Sequence, residues 1–112
     1  MTITYKSATF DLDTTNVTTI LTVPSNATVI AKSVQAVHDT ASNVNTDLIL
    51  TKSGDTTNYI IGHAILNASM TNLVLNTLNL EADDVLKMQA GTANEITGVV
   101  TYALLDRSNQ NG

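Results

Sequence analysis

The chain lacks cysteine and has little charge, few aromatic side chains and only one proline. Without cysteine it can form neither a disulfide framework nor a thiolate zinc site. Charged residues make up 13% of the sequence, against roughly 25% in ordinary soluble domains. Three tyrosines and one phenylalanine are too few to build a stacking platform for sugars or nucleic-acid bases. The low charge indicates either an ordinary Thr-rich β surface or a Thr- and Asn-rich surface that lies against other subunits.

The basic residues are equally scarce, and the formal net charge is −5. Because nucleic-acid binding depends on neutralising phosphates, the five scattered cations exclude a nucleic-acid partner. They are Lys6, Lys32, Lys52, Lys87 and Arg107. No apolar run approaches the roughly 20 residues that span a bilayer, so we expect no membrane partner. The first residues also lack the charged-then-apolar layout of a signal peptide, which predicts synthesis in the cytoplasm.

The order of residues predicts short β-strands throughout the chain. Clusters of Asn, Asp, Ser and Gly recur about every 8–12 residues, and the segments between them favour Val, Ile, Thr and Leu, as in a sandwich or barrel. The predicted strands are 2–12, 17–23, 28–38, 46–52, 58–66, 72–80, 84–90 and 96–105. The 112 residues suit one all-β domain whose core is large enough to be stable without disulfides or a bound metal. The polar end, residues 107–112, predicts a mobile tail.

The candidate chemical groups are few and far apart in the sequence. His38 and His63 lie on separate strands without a third His or Cys nearby, so they predict no metal site. Asp11 and Asp13 could share a cation but lack the six or more oxygens that calcium usually needs. The pair 83–84 is typical of a turn. No phosphate loop, nucleophile elbow or zinc-protease motif occurs, so we expect no enzyme and no cofactor.

Three segments carry a resemblance to a known family. They are TVPSNATVIAKS (22–33), LNLEADDVLKMQA (78–90) and ITGVVTY (96–102). In this order they resemble a family of small all-β accessory proteins of tailed bacteriophage particles, especially phages of aquatic bacteria. The resemblance covers about residues 8–106. Asp83 departs from the pattern, because the family often has glycine at that position.

The resemblance implies a jelly-roll-like antiparallel sandwich of about eight strands located on a virion. The favoured role is a capsid cement or decoration protein that stabilises the head from outside, with the major capsid protein or another virion protein as partner. A component of the tail, neck or fibre is the alternative. A free carbohydrate-binding module is a third interpretation that no motif favours.

Two features predict where contacts form. Residues 1–10 (MTITYKSATF) form either an interaction arm or an ordinary edge strand, with Thr2, Ile3, Tyr5 and Phe10 as the proposed contact residues. The strands at 46–52, 58–66 and 96–105 together hold one lysine, one aspartate and no proline. Edge strands are usually guarded by such residues. We therefore expect a homo-oligomer, with a trimer favoured, in which the subunits cover each other's edges.

Overall fold

The computed structural model describes residues 2–74 and 76–107, and this part of the chain folds into nine strands and no helix. The predicted all-β sandwich is confirmed. Two antiparallel sheets of five and four strands form it. The strands are β1 (Thr2–Leu12), β2 (Thr18–Thr22), β3 (Ala27–His38), β4 (Val44–Thr51), β5 (Tyr59–Leu66), β6 (Ser69–Asn72), β7 (Leu78–Leu80), β8 (Val85–Ala90) and β9 (Ile96–Asp106).

The two sheets divide the strands so that sequence neighbours often lie in different sheets. The first sheet has the order β1-β9-β3-β6, and β7 also pairs with β3. The second has the order β2-β8-β4-β5. The long β9 lies between β1 and β3, and its ladder with β1 runs from Thr2 opposite Asp106 to Leu12 opposite Ile96. The first sheet is therefore a long three-strand platform with two short strands beside it.

The core lies between the sheets and follows the period-two alternation of the sequence. Leu12, Leu48, Leu80, Leu86 and Met88 are among its fully buried side chains. The β-branched segment at the start of β3 is a strand, as its Val, Ile and Thr content indicates. No helix in the described part of the chain could cross a membrane.

The prediction of one strand over 72–80 is wrong. The structure has β6 and β7 there, separated by residues 73–77, and β6 begins at Ser69. The side chain of Asn72 causes the interruption. Its Oδ1 accepts the backbone N–H groups of Val34 and Val74, each at 3.0 Å. Because a side chain takes the place of the next backbone partner, the ladder with β3 stops and resumes only at β7.

The strand order also corrects the edge-strand argument. Of the three strands that the sequence offered as unguarded, β4 and β9 lie inside their sheets. Only β5 is an edge strand. Among the described strands the other edges are β1, β2 and the short β6 and β7. The predicted mobile tail falls almost entirely on residues 108–112, which lie outside the described residues.

Candidate interaction surfaces

The start of β1 carries an exposed apolar group on the outer face of the first sheet. Ile3 and Tyr5 are 54% and 74% exposed. They lie opposite Leu105 and Ala103 of β9. Side chains of paired residues share a face, so these four lie together on the side away from the core. Thr28 and Ile30 of β3 continue the two rows, since they pair with the same β9 residues.

Two cations flank this group. The Nζ of Lys32 lies 5.8 Å from the centroid of the Tyr5 ring, within the range of a cation–π contact. Arg107 Nη1 donates a 2.6 Å hydrogen bond to Thr28 Oγ1. We call Ile3, Tyr5, Ile30 and Leu105, with Lys32 and Arg107, the β1 patch. It is a positive apolar surface on a protein of net negative charge.

The four contact residues predicted from the sequence do not share this surface. Ile3 and Tyr5 belong to the β1 patch. Thr2 and Phe10 alternate to the other face of β1. Thr2 is exposed there, whereas Phe10 is half-buried and packs against the core. Phe10 lies over Gly98, and its ring occupies the space that a side chain at that position would need. We therefore assign Phe10 to the core.

As for the two interpretations of residues 1–10, β1 is an edge strand paired with β9 along its whole length. Its first half, Thr2 to Ser7, is nevertheless exposed on both faces. A contact role for this half stays a prediction.

A second apolar surface follows β5. Tyr59, Ile60, Ile61 and Ile65 are all exposed, and Met70 of β6 is exposed as well. Ile61 is the extra residue of a bulge, because Leu48 pairs with Gly62 and Ile49 pairs with Ile60. Beside β5 lies a groove of about 420 Å³, whose lining includes Leu48, Ile61, Gly62, Leu73 and Leu78. This edge is long and apolar, which is the kind of edge that soluble monomers usually guard.

The two histidines serve different local contacts. His63 Nδ1 lies 2.6 Å from Asp47 Oδ1 on the second sheet. His38 is buried, with Nδ1 3.2 Å from the Glu95 carbonyl oxygen and Nε2 3.0 Å from both oxygens of Ser42. It thus ties the turn after β3 to the turn before β9. Among the described residues no three His, Cys, Asp or Glu side chains gather into a metal site.

Asp84 is a buried carboxylate that joins the turn after β4 to the turn between β7 and β8. Its Oδ2 accepts hydrogen bonds from Lys52 Nζ at 2.6 Å and from the Glu81 N–H at 2.8 Å, and its Oδ1 accepts the Ser53 N–H at 3.0 Å. Burial by itself would raise the pKa of Asp84. The hydrogen bonds and the Lys52 charge outweigh burial and hold the pKa below its ordinary value. The same hydrogen bond raises the pKa of Lys52. The Lys52–Asp84 pair therefore stabilises the fold.

Sequence reasoning found two of the six residues of the β1 patch, Ile3 and Tyr5. Lys32, Ile30, Leu105 and Arg107 were not singled out as contacts, because they come from strands far away in the sequence. Alternation along β9 was visible and could have placed Leu105 on the outer face. The register that sets it opposite Ile3 depends on the β1–β9 ladder, which no local motif encodes.

Comparison with known proteins bears on the fold. No protein-family model matches the chain, and no curated protein matches it in sequence. A chain in the acidic stable capsid structure of Helicobacter pylori bacteriophage KHP30 superposes with a TM-score of 0.58 at 15% identity, over 96% of this chain and 90% of that one. A chain of the disulfide-linked pili of Bacillus endospore appendages gives a TM-score of 0.51 at 15% identity, over 94% and 88%. At these identities the likeness shows the shared fold alone.

A pentameric capsid protein from metagenomic phage sequences is more distant. Its TM-score is 0.45 at 19% identity, over 88% of this chain and 67% of that one.

Proposed function

We propose that this protein is a structural component of a phage particle that works by binding other virion proteins, and that its place is on the outside of the head as a cement or decoration protein. The observation that carries the proposal is the fold shared over nearly the whole chain with a chain of a phage capsid structure. The family resemblance of residues 8–106 points the same way.

The surface supports a binding role over a catalytic one. The protein presents two separate apolar surfaces, the β1 patch and the β5 edge, on a body with few charges. Exposed apolar patches on small soluble proteins usually mark protein contacts. The net charge of −5 suits an exterior position, because a protein facing packaged DNA would be repelled by it.

The strand order supports a jelly roll, the double-sheet arrangement of two Greek keys that recurs in viral capsid domains. A tail, neck or fibre position remains the second candidate, because both positions require only a stable sandwich with adhesive surfaces. The pilus chain of similar fold comes from an endospore appendage, and that gives this alternative its specific support.

Copy number in purified particles tests both positions. Quantitative mass spectrometry against the major capsid protein should give hundreds of copies for a cement protein. A small multiple of six would instead support the tail or neck, where rings have fixed symmetry. Absence of the protein from purified particles would overturn the virion role altogether.

A further inference from the structure

The outer face of the first sheet has opposite charges at its two ends. Register places five rows of side chains across β1, β9 and β3 on this face. Arg107 lies at the Ile3–Leu105 row, and Lys32 lies beside the next row. The last row holds Asp11 opposite Thr97. Asp13 and Asp39 follow β1 and β3 at that same end, and all three carboxylates are exposed.

The rows between the charged ends hold no charge. They consist of Ser7, Thr101 and Ser33, and then of Thr9, Val99 and Gln35. Ser7 and Thr9 are exposed, so the face is open to solvent. A face of hydroxyl and aliphatic side chains can pack against another sheet, with strands aligned to within about 30°.

We propose that this face binds a second copy of the same chain in an antiparallel, two-fold arrangement. A two-fold axis across the strands places each β1 patch over the acidic end of the partner. Because such an axis sets each strand over its own copy, Arg107, which is held against β3 by Thr28, then faces Asp39 at the end of β3 in the other copy. The inference does not depend on the virion role proposed above.

Charge selects this arrangement over its alternative. The face can also stack on itself with the two-fold axis along the strands, which sets each β1 patch against the other patch. That arrangement brings Lys32 and Arg107 close to their own copies, and like charges across an interface are strongly unfavourable. In the antiparallel arrangement, both charged ends of the face meet the opposite charge on the other copy. Because of the two-fold symmetry, the same pair of residues forms the contact twice.

Charge reversal and its rescue test the proposal. Arg107→Glu and Asp39→Arg should each weaken self-association at least about ten-fold in sedimentation equilibrium, since each puts like charges together. The double variant should restore wild-type affinity, because the reversed charges again face each other. Tyr5→Ser should weaken association by removing apolar area, while circular dichroism and Tm confirm that the fold is kept.

Matched controls separate local contacts from overall charge. Lys87→Glu, on β8, and Asp55→Arg, in the exposed turn between β4 and β5, make the same changes of charge on the second sheet, away from this face. They should leave the association constant within about two-fold. A monomer at millimolar concentration, a trimer, or a double variant no better than the single ones would overturn the proposal. Weaker association at high NaCl would support it.

Discussion

At the scale of single residues, Gly98 has the least room for an added Cβ among the glycines that the structure describes. A Cβ there would lie 2.0 Å from the backbone oxygen of Gln35 and 2.5 Å from Phe10 Cζ. Gln35 belongs to the paired strand β3, so its oxygen cannot withdraw without opening the ladder. We expect Gly98→Ala to lower the free energy of unfolding by about 1–3 kcal/mol, measured by urea unfolding.

Gly91→Ala is the control for that substitution. The nearest atom to an added Cβ at Gly91 is the Asn45 oxygen at 3.7 Å, an ordinary contact. Its effect should stay within about 0.5 kcal/mol. Equal losses in the two variants would contradict the role assigned to the close approach of Phe10 and Gly98.

Asp84 makes stability depend on pH in the acid range. Its pKa is lower in the folded protein than the ordinary 3.8, so its contribution is fully present above that value and is lost as the pH falls through the folded pKa. We expect Asp84→Asn to be less stable than wild type at neutral pH by about 1–3 kcal/mol, because its hydrogen bonds lose their charge. Urea unfolding at pH 7 and at several pH values below 5 measures both effects.

The variant and the wild type should converge as the solution becomes more acid. Asp13→Asn, at an exposed position, serves as the matched control and should follow the wild-type profile. A constant difference between Asp84→Asn and wild type down to the lowest pH would show that the Asp84 charge is not what stabilises the fold.

At the scale of elements, most strands could be predicted because their determinants are local. The alternation in 96–105 and the β-branched content of 28–38 lie within each segment. The break between β6 and β7 could not be predicted, since it depends on Asn72 reaching a backbone N–H of β3 far away in the sequence. Local alternation gives strands, whereas interruptions and registers arise from contacts between strands.

Asn72→Ala tests the cause of that break. The change leaves the N–H groups of Val34 and Val74 without the side-chain oxygen that they share. Because unsatisfied buried donors are costly, we expect a loss of about 1–3 kcal/mol in the free energy of unfolding. Asn79→Ala, on an exposed position of β7, should change it by less than about 0.5 kcal/mol. Similar values for both variants would contradict the cap assigned to Asn72.

Truncation of β1 tests the two interpretations of its first half. Residues 2–7 are exposed on both faces although they pair with β9. A chain that begins at Ala8 should therefore keep cooperative unfolding with a modestly lower Tm, but lose association that depends on Ile3 and Tyr5. Loss of cooperative unfolding would show instead that this half of β1 is required for the core. Thermal unfolding monitored by circular dichroism distinguishes these two outcomes.

At the scale of the whole molecule, the interaction surfaces were only partly within reach of the sequence. Ile3 and Tyr5 could be chosen from the sequence because they are the first large apolar residues of a strand in which they alternate with Thr2 and Thr4. The separation of charge along the first sheet could not be seen, because Arg107 and Asp11 reach opposite ends of one face only through the antiparallel ladders of β9. The trimer expected from the sequence is untested, and the two-fold arrangement proposed above is the alternative to it.

The two apolar surfaces lie on different sheets, and we expect them to serve different partners. If the first sheet binds a second copy, the β5 edge stays available to another virion protein.

Ile60→Lys with Ile65→Lys places charge on two side chains that are 63% and 59% exposed, so the fold should be kept. A lysine on an edge strand opposes pairing with another chain. The double variant should therefore self-associate like wild type in sedimentation equilibrium, yet fail to bind particles that lack the protein. Arg107→Glu should have the opposite effect: it should weaken self-association and leave binding to particles unchanged. Dissociation of the wild-type oligomer by the β5 lysines would instead make that edge the contact between copies, as the sequence alone suggested.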